Sequence, residues 1–171
     1  SEDVKKMLAS NAEKKGLKGW LLDLKPTTYI PVMQYCENRD IRRELYMAYN
    51  TRCIGGEFDN INLIKEIVNT RLAIVQLFDK MCYAEKSLRK TMAKTTENVY
   101  NLLDQLRDAY VPVAREEYDE LQQFAEKKGF SETLQAWDWS FYSEKLKQEK
   151  YAISEDDLRP YFELKKKKKG V

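Results

Sequence analysis

The chain has 171 residues, of which 43% are hydrophobic and 34% charged, a composition that excludes a membrane protein and a disordered charged segment. Its formal net charge is +2, and without the five lysines at 165–169 it would be −3, so the body offers no basic field for nucleic acid. The chain contains no histidine, which excludes metal sites and catalytic triads that depend on imidazole.

Apolar residues recur at three- and four-residue steps along nearly the whole chain, a pattern that predicts helices. The predicted helices cover, in chain order, 4–15, 27–37, 39–52, 61–78, 82–92, 95–129, 137–151 and a last one that opens at Ser154 with Asp157 as an acidic capping partner. We therefore predict an all-α fold, a lobe of seven or eight mostly antiparallel helices. The lobe covers 1–164, and residues 165–171 form a lysine-rich chain end that is disordered or artificial, because five like charges repel and do not pack.

Local signals refine these helices. Gly16 is the predicted stop of the first helix, and residues 17–24 are a short apolar run that could form the only strand. Pro31 is placed in the first turn of its helix, where a missing amide is tolerated. Asn60 is the predicted N-cap of the fourth helix, and Pro112 predicts a kink inside the longest one.

The sequence also indicates where the protein resides. No stretch approaches the 18 apolar residues of a transmembrane helix, and the N-terminal residues lack the order of a signal peptide. Cys36, Cys53 and Cys82 are scattered without CxxC spacing, which favours buried free thiols in a reducing compartment. We expect a cytoplasmic protein, and an upstream signal that has been removed remains open.

Two groups of side chains could line or hold a ligand, and each has a structural interpretation. The aromatic cluster, which comprises Trp137, Trp139, Phe141 and Tyr142, could line a substrate channel, but core packing is the favoured interpretation. The basic residues Arg39, Arg42 and Arg43 could hold a carboxylate or phosphate. Ion pairs with the nearby Glu37 and Glu44 are the simpler account.

Acidic residues offer two further candidates. Asp138 could be a functional acid, although an N-cap of the following helix is the favoured role. The acidic run, Glu116, Glu117, Asp119 and Glu120, suggests a metal site only if its members share one face. They wind around a helix instead, so solvated charge is the better interpretation.

Four stretches of the sequence resemble parts of one known protein family in their order and spacing, and we call them the family-like stretches. They are PTTYIPVMQYCENRDIRRELYMAYNTR (26–52), DNINLIKEIVNTRLAIVQLF with YAEKSLRKTMA (59–78 and 83–93), WDWSFYSEKLKQEKY (137–151) and LRPYFEL (158–164). In this combination the chain resembles the thimet oligopeptidase, oligopeptidase A and peptidyl-dipeptidase family of zinc metallopeptidases, and within it most resembles the peptidyl-dipeptidase branch. Val75 stands where that family has alanine, and Phe78 with Asp79 where it has leucine and glycine. We expect these departures to affect packing, not chemistry.

The resemblance implies packed helices in two halves flanking a deep channel, with one zinc held by an HExxH helix and a downstream glutamate. No residue of this chain maps onto that motif, so we predict no catalytic residue, no metal ligand and no cofactor here. Zinc belongs to the full-length parent, whose motif we expect downstream, and the residues that bind substrate are unknown.

The chain is accordingly interpreted as a scaffold and channel-wall segment of a zinc metallopeptidase that cleaves short peptides and releases C-terminal dipeptides. By itself the segment is not catalytic. Its predicted partners are the remaining C-terminal catalytic half and the short peptide substrate, with no nucleic acid and no membrane. A segment of this kind should expose an apolar face. The alternative is a stand-alone helical protein-interaction module.

Overall fold

The computed structural model describes residues 2–152, which form helices and no strand. The helices are α1 (Glu2–Glu13), α2 (Pro26–Tyr35), α3 (Arg39–Asn50), α4 (Ile61–Gln76), α5 (Tyr83–Leu88), α6 (Thr96–Lys127) and α7 (Ala136–Tyr151). The all-α prediction is confirmed for this part of the chain. The helix predicted at Ser154, the fourth family-like stretch and the lysine-rich end at 165–171 lie outside the described residues. No helix in the described part is both long and apolar enough to cross a membrane.

Polar side chains fix where two of the helices begin. The Asn38 side-chain oxygen accepts the amides of Asp40 at 2.9 Å and Ile41 at 3.2 Å, and so satisfies donors that have no partner within α3. Thr95 does the same for α6, because its hydroxyl oxygen accepts the Asn98 amide at 3.2 Å. These caps explain why α3 and α6 begin where the sequence predicts.

Besides α7, which ends at the left-handed Ala152 (φ 51°), three helices end at a residue with a left-handed backbone. The residue is Gly16 after α1 (φ 68°), Asp79 after α4 (φ 52°) and Gly129 after α6 (φ 88°). In each case the next amide donates back to a carbonyl in the last helical turns, as a Schellman motif requires. These bonds are Leu17 to Ala12 (3.0 Å), Lys80 to Val75 (3.1 Å) and Phe130 to Ala125 (3.0 Å). Asp79 stands where the family pattern has glycine, so this departure affects helix termination, not only packing.

Two predictions about the second helix and the run before it are wrong. Residues 17–24 are irregular and not a strand, because no second strand pairs with them in the described part of the chain. Their apolar side chains, such as Leu22 and Leu24, pack against the core instead. The helix α2 begins at Pro26, so Pro31 lies inside it and not in its first turn. Pro26 occupies the early position that tolerates a missing amide.

The helices α4, α5 and α6 lie close to their predicted positions. Asn60 is the N-cap residue of α4, but its side chain makes no capping bond; the Asp59 carboxylate accepts the Ile61 amide at 2.9 Å instead. The short helix α5 is shorter than the predicted 82–92. Pro112 lies within α6, which continues as one helix, and the kink stays a prediction.

The described residues divide into two compact units, which are considered separately. The first comprises residues 2–50 and 120–152. In it α7 packs against α2 and α3, and α1 packs against α2. The core of this unit contains Leu8, Val32, Met33 and Leu45, with further buried apolar side chains from α6 and α7.

The second unit comprises residues 51–119 and has little core of its own. In it α4 packs against α5, and Val75 is fully buried. Most other large apolar side chains of this unit are exposed. On α4 these are Ile61, Leu63, Ile64, Ile67, Val68 and Leu72; on α6 they are Tyr100, Leu102, Leu103, Leu106, Tyr110, Val111 and Val113. The second unit therefore exposes many apolar side chains, and the continuous apolar face expected of such a segment stays a prediction.

Candidate functional site

The most highly organised polar group in the first unit is a buried charge cluster built from α3 and α7. Asn38 caps α3 and thereby places Arg39 in the first helical position and Arg42 one turn later. The helix α7 begins at Ala136, which makes Asp138 its third residue. Asp138 is fully buried and Arg42 is 2% exposed, so these opposite charges meet out of contact with water.

The geometry of the cluster is that of two guanidinium groups on one carboxylate. Arg42 Nη2 donates to Asp138 Oδ1 at 2.9 Å, and Arg39 Nη2 donates to Oδ2 at 2.9 Å. Arg39 Nε lies 3.1 Å and 3.2 Å from the two carboxylate oxygens. The Gln135 amide donates to Oδ2 at 3.1 Å, and Arg39 Nη1 reaches Glu132 at 2.7 Å. Both oxygens of Asp138 are thus occupied.

Arg42 is almost completely satisfied by the same region. Its Nη1 donates to the carbonyl oxygens of Cys36 at 2.7 Å and Glu37 at 3.3 Å, and its Nε donates to the Trp137 carbonyl at 3.2 Å. Its guanidinium carbon lies 4.1 Å from the ring centroid of Phe141. A buried charge needs this number of partners, because an unpaired one would be strongly destabilising.

Electrostatics keep the cluster ionised. Burial alone would raise the pKa of Asp138, but hydrogen bonds from Arg39, the Gln135 amide and Arg42 hold that pKa below its ordinary value. The hydrogen bond to Asp138 in turn raises the pKa of Arg39. A carboxylate that stays ionised and has both oxygens occupied cannot exchange a proton with a substrate. This arrangement suits a structural role, in which the cluster joins α3 to α7.

The cluster corrects two predictions from the sequence. Asp138 is not the N-cap of α7. Gln135 is the N-cap, and the carboxylate of Asp138, three residues later, accepts the backbone amide of Gln135. Arg39 and Arg42 do form ion pairs, but their partners are Asp138 and Glu132, not the nearby Glu37 and Glu44.

The other side chains of this region divide between core and surface. Phe141 and Tyr142 are buried, which confirms core packing for them, whereas Trp139 is 40% exposed. Trp137 is half-buried, packs against the core and lies edge-on to Tyr46. Arg43 is exposed, with its guanidinium carbon 5.6 Å from the Trp137 ring centroid.

Two longer-range contacts were missed by the sequence analysis. The Tyr35 hydroxyl donates to buried Glu144 at 3.3 Å, and Lys145 Nζ lies 3.0 Å from a Glu37 oxygen. Each joins α7 to the region of α2 from more than a hundred residues away, and no local spacing signals them.

The predicted acidic and thiol groups do not assemble a site. Every member of the acidic run, Glu116, Glu117, Asp119 and Glu120, is exposed, and Glu120 pairs with Lys150 at 2.6 Å; this confirms solvated charge. The cysteines are unpaired as predicted, but they are not buried: Cys53 is exposed, and Cys36 and Cys82 are half-buried. Within residues 2–152 no three potential metal ligands among histidine, cysteine, aspartate and glutamate come together.

A basic concavity lies beside α5 in the second unit, with a volume of about 460 Å³. Four cationic side chains line it: Lys80, Lys86, Arg89 and Lys90. The sequence analysis missed this feature, although the density of basic residues between 80 and 94 was a signal for it.

Comparison with known proteins identifies the family. The sequence model of peptidase family M3 matches residues 32–171, which is most of the chain. The chain belongs to peptidase family M3. It is 41% identical to oligopeptidase A of Haemophilus influenzae over 157 residues, covering 89% of this chain and 23% of that protein. It is 39% identical to oligopeptidase A of Escherichia coli over 167 residues, covering 95% of this chain and 25% of that protein.

A dipeptidyl carboxypeptidase of Escherichia coli is also related to this M3 chain, at 31% identity over 166 residues, covering 96% of the chain and 24% of that protein. The two oligopeptidase A proteins share more identical residues with the chain than this carboxypeptidase does. These identities therefore do not favour the peptidyl-dipeptidase branch. The chain spans a quarter or less of the length of each of these relatives.

The family-like stretches meet in the structure. The first stretch supplies Arg39 and Arg42, and the third supplies Asp138, so the residues that carry the resemblance form the buried charge cluster. In this part of the chain the two stretches therefore hold α3 against α7.

Proposed function

We propose that this chain is a helical scaffold segment of a zinc metallopeptidase that cleaves short peptides, and that the segment is not catalytic by itself. The match of the M3 family over residues 32–171 carries this proposal. The relatives named above are oligopeptidases and a dipeptidyl carboxypeptidase, and the chain corresponds to about a quarter of each.

Zinc does not fit the residues of this chain. The 171 residues include no histidine, and the described ones bring no three potential ligands together. The zinc that the family implies would therefore be held by residues outside this sequence, and no catalytic step can be assigned to the side chains described here. Their proposed part is to hold the helices that form one wall of the peptide channel.

The proposed partner is the remaining catalytic part of the same polypeptide. Its contact surface would include the apolar side chains exposed on α4 and on the first half of α6, since contiguous apolar surface marks an interface. The same observation supports the alternative of a stand-alone interaction module. The two differ in the gene: the peptidase proposal requires an HExxH codon pattern in the same reading frame, and the module requires its absence.

The substrate proposal has a broader and a narrower form. Cleavage of short peptides is supported by all the relatives named above, and release of C-terminal dipeptides only by the carboxypeptidase. The test is to express the longest reading frame that contains this chain and to identify products from a ten-residue peptide by mass spectrometry. Successive losses of two residues from the C-terminus support the narrower form, and internal cleavage contradicts it. No zinc-dependent cleavage at all would overturn both.

A cytoplasmic location is proposed from the three unpaired cysteines, which suit a reducing compartment. The names of two Arabidopsis thaliana relatives show that location varies among similar proteins: one is a probable cytosolic and the other an organellar oligopeptidase A. Fractionation of the source cells tests this proposal, and recovery of the protein with an organelle would contradict it.

A further inference from the structure

We propose that the basic concavity beside α5 binds carboxylate groups of acidic peptides. The concavity is the space of about 460 Å³ lined by Lys80, Lys86, Arg89 and Lys90 together with the aromatic side chains Phe78 and Tyr83. Its positive charge follows from the residues alone. The identification of the ligand as a peptide rests on the proposed peptidase function.

The four cations of the concavity have no internal counter-charge. Within residues 2–152 none of them forms an ion pair with a carboxylate, whereas the exposed Arg107 on α6 pairs with both Asp104 and Asp108. The segment 78–94 carries five basic and two acidic residues, in a chain that would be net negative without its terminal lysines. A local excess of this kind attracts anions, and a concave wall strengthens the field.

One of the four cations, Lys86, lies over aromatic rings, which do not neutralise it. Lys86 Nζ lies 4.9 Å from the ring centroid of Phe78 and 5.9 Å from that of Tyr83. Arg71, one helix earlier, has its guanidinium carbon 5.1 Å from the Tyr83 centroid. A cation held over a ring keeps its full charge, so it remains available to an anionic ligand.

The chemistry of the lining fits carboxylates, and that a peptide carries them rests on the proposed peptidase function. Arg89 offers a planar fork that matches a carboxylate, the lysines add charge without directional demand, and the Ser87 hydroxyl adds a neutral donor. The volume lies within the range of small-ligand sites and can hold one or two acidic side chains. Both a peptide C-terminus and Asp or Glu side chains supply this group. A nucleic acid would need an extended basic surface, which the net-negative body does not favour.

The test uses the complete 171-residue chain and fluorescently labelled peptides, with binding followed by anisotropy. Three peptides of equal length are compared: one rich in Glu, its Glu→Gln counterpart, and the Glu-rich peptide with an amidated C-terminus. We expect the Glu-rich peptide to bind roughly tenfold more tightly than the Gln peptide at about 50 mM salt, and most of this difference to vanish at about 500 mM. If the amidated peptide is the only one of the three that binds more weakly, the C-terminal carboxylate is the group that the concavity binds.

A matched pair of double variants separates the concavity from general charge. The variant K86Q/R89Q removes two lining cations, and the control K65Q/K94Q removes the same charge outside the lining. We expect the lining variant to bind the Glu-rich peptide about fivefold to tenfold more weakly and the control less than twofold. Circular dichroism checks that the wild type and both double variants have equal helicity. If K86Q/R89Q loses helicity, the single variants K86Q and R89Q are measured instead.

Three outcomes would overturn the inference. They are equal weakening by the lining variant and the control, equal binding of all three peptides, and tighter binding of single-stranded DNA than of the acidic peptide. Failure here is distinguishable from failure of the proposed function. If the longer gene product shows zinc-dependent hydrolysis but this chain does not bind the acidic peptide, only this inference is refuted. If this chain binds the acidic peptide but the longer product shows no hydrolysis, only the peptidase proposal is refuted.

Discussion

Asp138 receives hydrogen bonds from Arg39 and Arg42, which lie 99 and 96 residues earlier in the chain. Arg42 binds one oxygen of the carboxylate and Arg39 binds both, so one side chain joins the start of α7 to the first turns of α3. Removing such a partner leaves buried positive charge without compensation, which costs far more than breaking an ion pair at the surface.

The substitution Asp138→Asn should therefore be strongly destabilising. We expect the free energy of unfolding to fall by about 3 kcal/mol or more, because Arg42 stays buried next to a neutral amide. Urea unfolding followed by circular dichroism measures this loss. The matched control is Asp40→Asn, which removes the same charge from an exposed position in α3 and should change stability by less than about 0.5 kcal/mol. Equal effects of the two substitutions would refute a structural role for the cluster.

Acid should weaken the same cluster. The pKa of Asp138 lies below its ordinary value in the folded state, so the unfolded chain binds the proton more tightly. The stability that this residue contributes is therefore present above the unfolded value of about 3.9 and is lost as pH falls through the lower folded pKa. We predict that the stability difference between wild type and Asp138→Asn shrinks below about pH 4, measured by unfolding at stepwise lower pH. A difference that grows with acidity would contradict the assignment.

Local spacing explains why these partners were not predicted. The positions of Arg39 and Arg42 at the start of a helix were evident from the sequence, and so was the capping character of Asp138. The sequence offered Glu37 and Glu44 as partners because they are close along the chain. The actual partners depend on how α3 packs against α7, which is a tertiary property that periodicity does not contain.

At the scale of single helices, the termination of α4 is the most informative departure. Asp79 has a φ of 52°, a conformation that costs a residue with a Cβ but not glycine. Gly129 holds the equivalent position after α6 with a φ of 88°. The two sites therefore form a natural pair for opposite substitutions.

We predict that Asp79→Gly raises the free energy of unfolding by about 0.5–1 kcal/mol, because it relieves backbone strain that exceeds the added entropy of the unfolded chain. Gly129→Ala should lower stability by about 1 kcal/mol. No atom would lie within 4 Å of the new Cβ at Gly129, so that loss would come from the backbone alone. Thermal unfolding of both variants checks the signs. A loss of stability in Asp79→Gly would show that its side chain contributes more than its backbone costs.

Helices were predicted well because each depends on its own periodicity and caps. The ends at Gly16 and Gly129 and the starts at Arg39 and near Thr95 agree with the structure within a few residues. The errors arose where two local signals competed. Pro26 and Pro31 can each begin a helix, and only the structure shows that Pro26 does. The run at 17–24 is apolar enough for a strand, but it lacks a second strand in the described part of the chain.

At the scale of the whole molecule, most of the large apolar side chains of the second unit are exposed. Ile64 and Val68 lie one turn apart on α4, and each is 57% exposed. We predict that I64E/V68E lowers the binding of a hydrophobic dye by about half or more without reducing helicity, because both side chains face solvent. The control N62E/N69E, on the same helix, adds the same charge at exposed polar positions and should leave dye binding unchanged. Loss of helicity in the first variant alone would show that these residues belong to a core.

Under the proposed function, this chain supplies scaffold to a peptidase whose zinc is held by residues outside this sequence. The most direct measurement is hydrolysis of a short fluorogenic peptide by the purified 171-residue chain, with added zinc and with a chelator. The account predicts no turnover above the buffer rate under either condition. Turnover that increases with zinc and disappears with the chelator, in a preparation free of other peptidases, would contradict it.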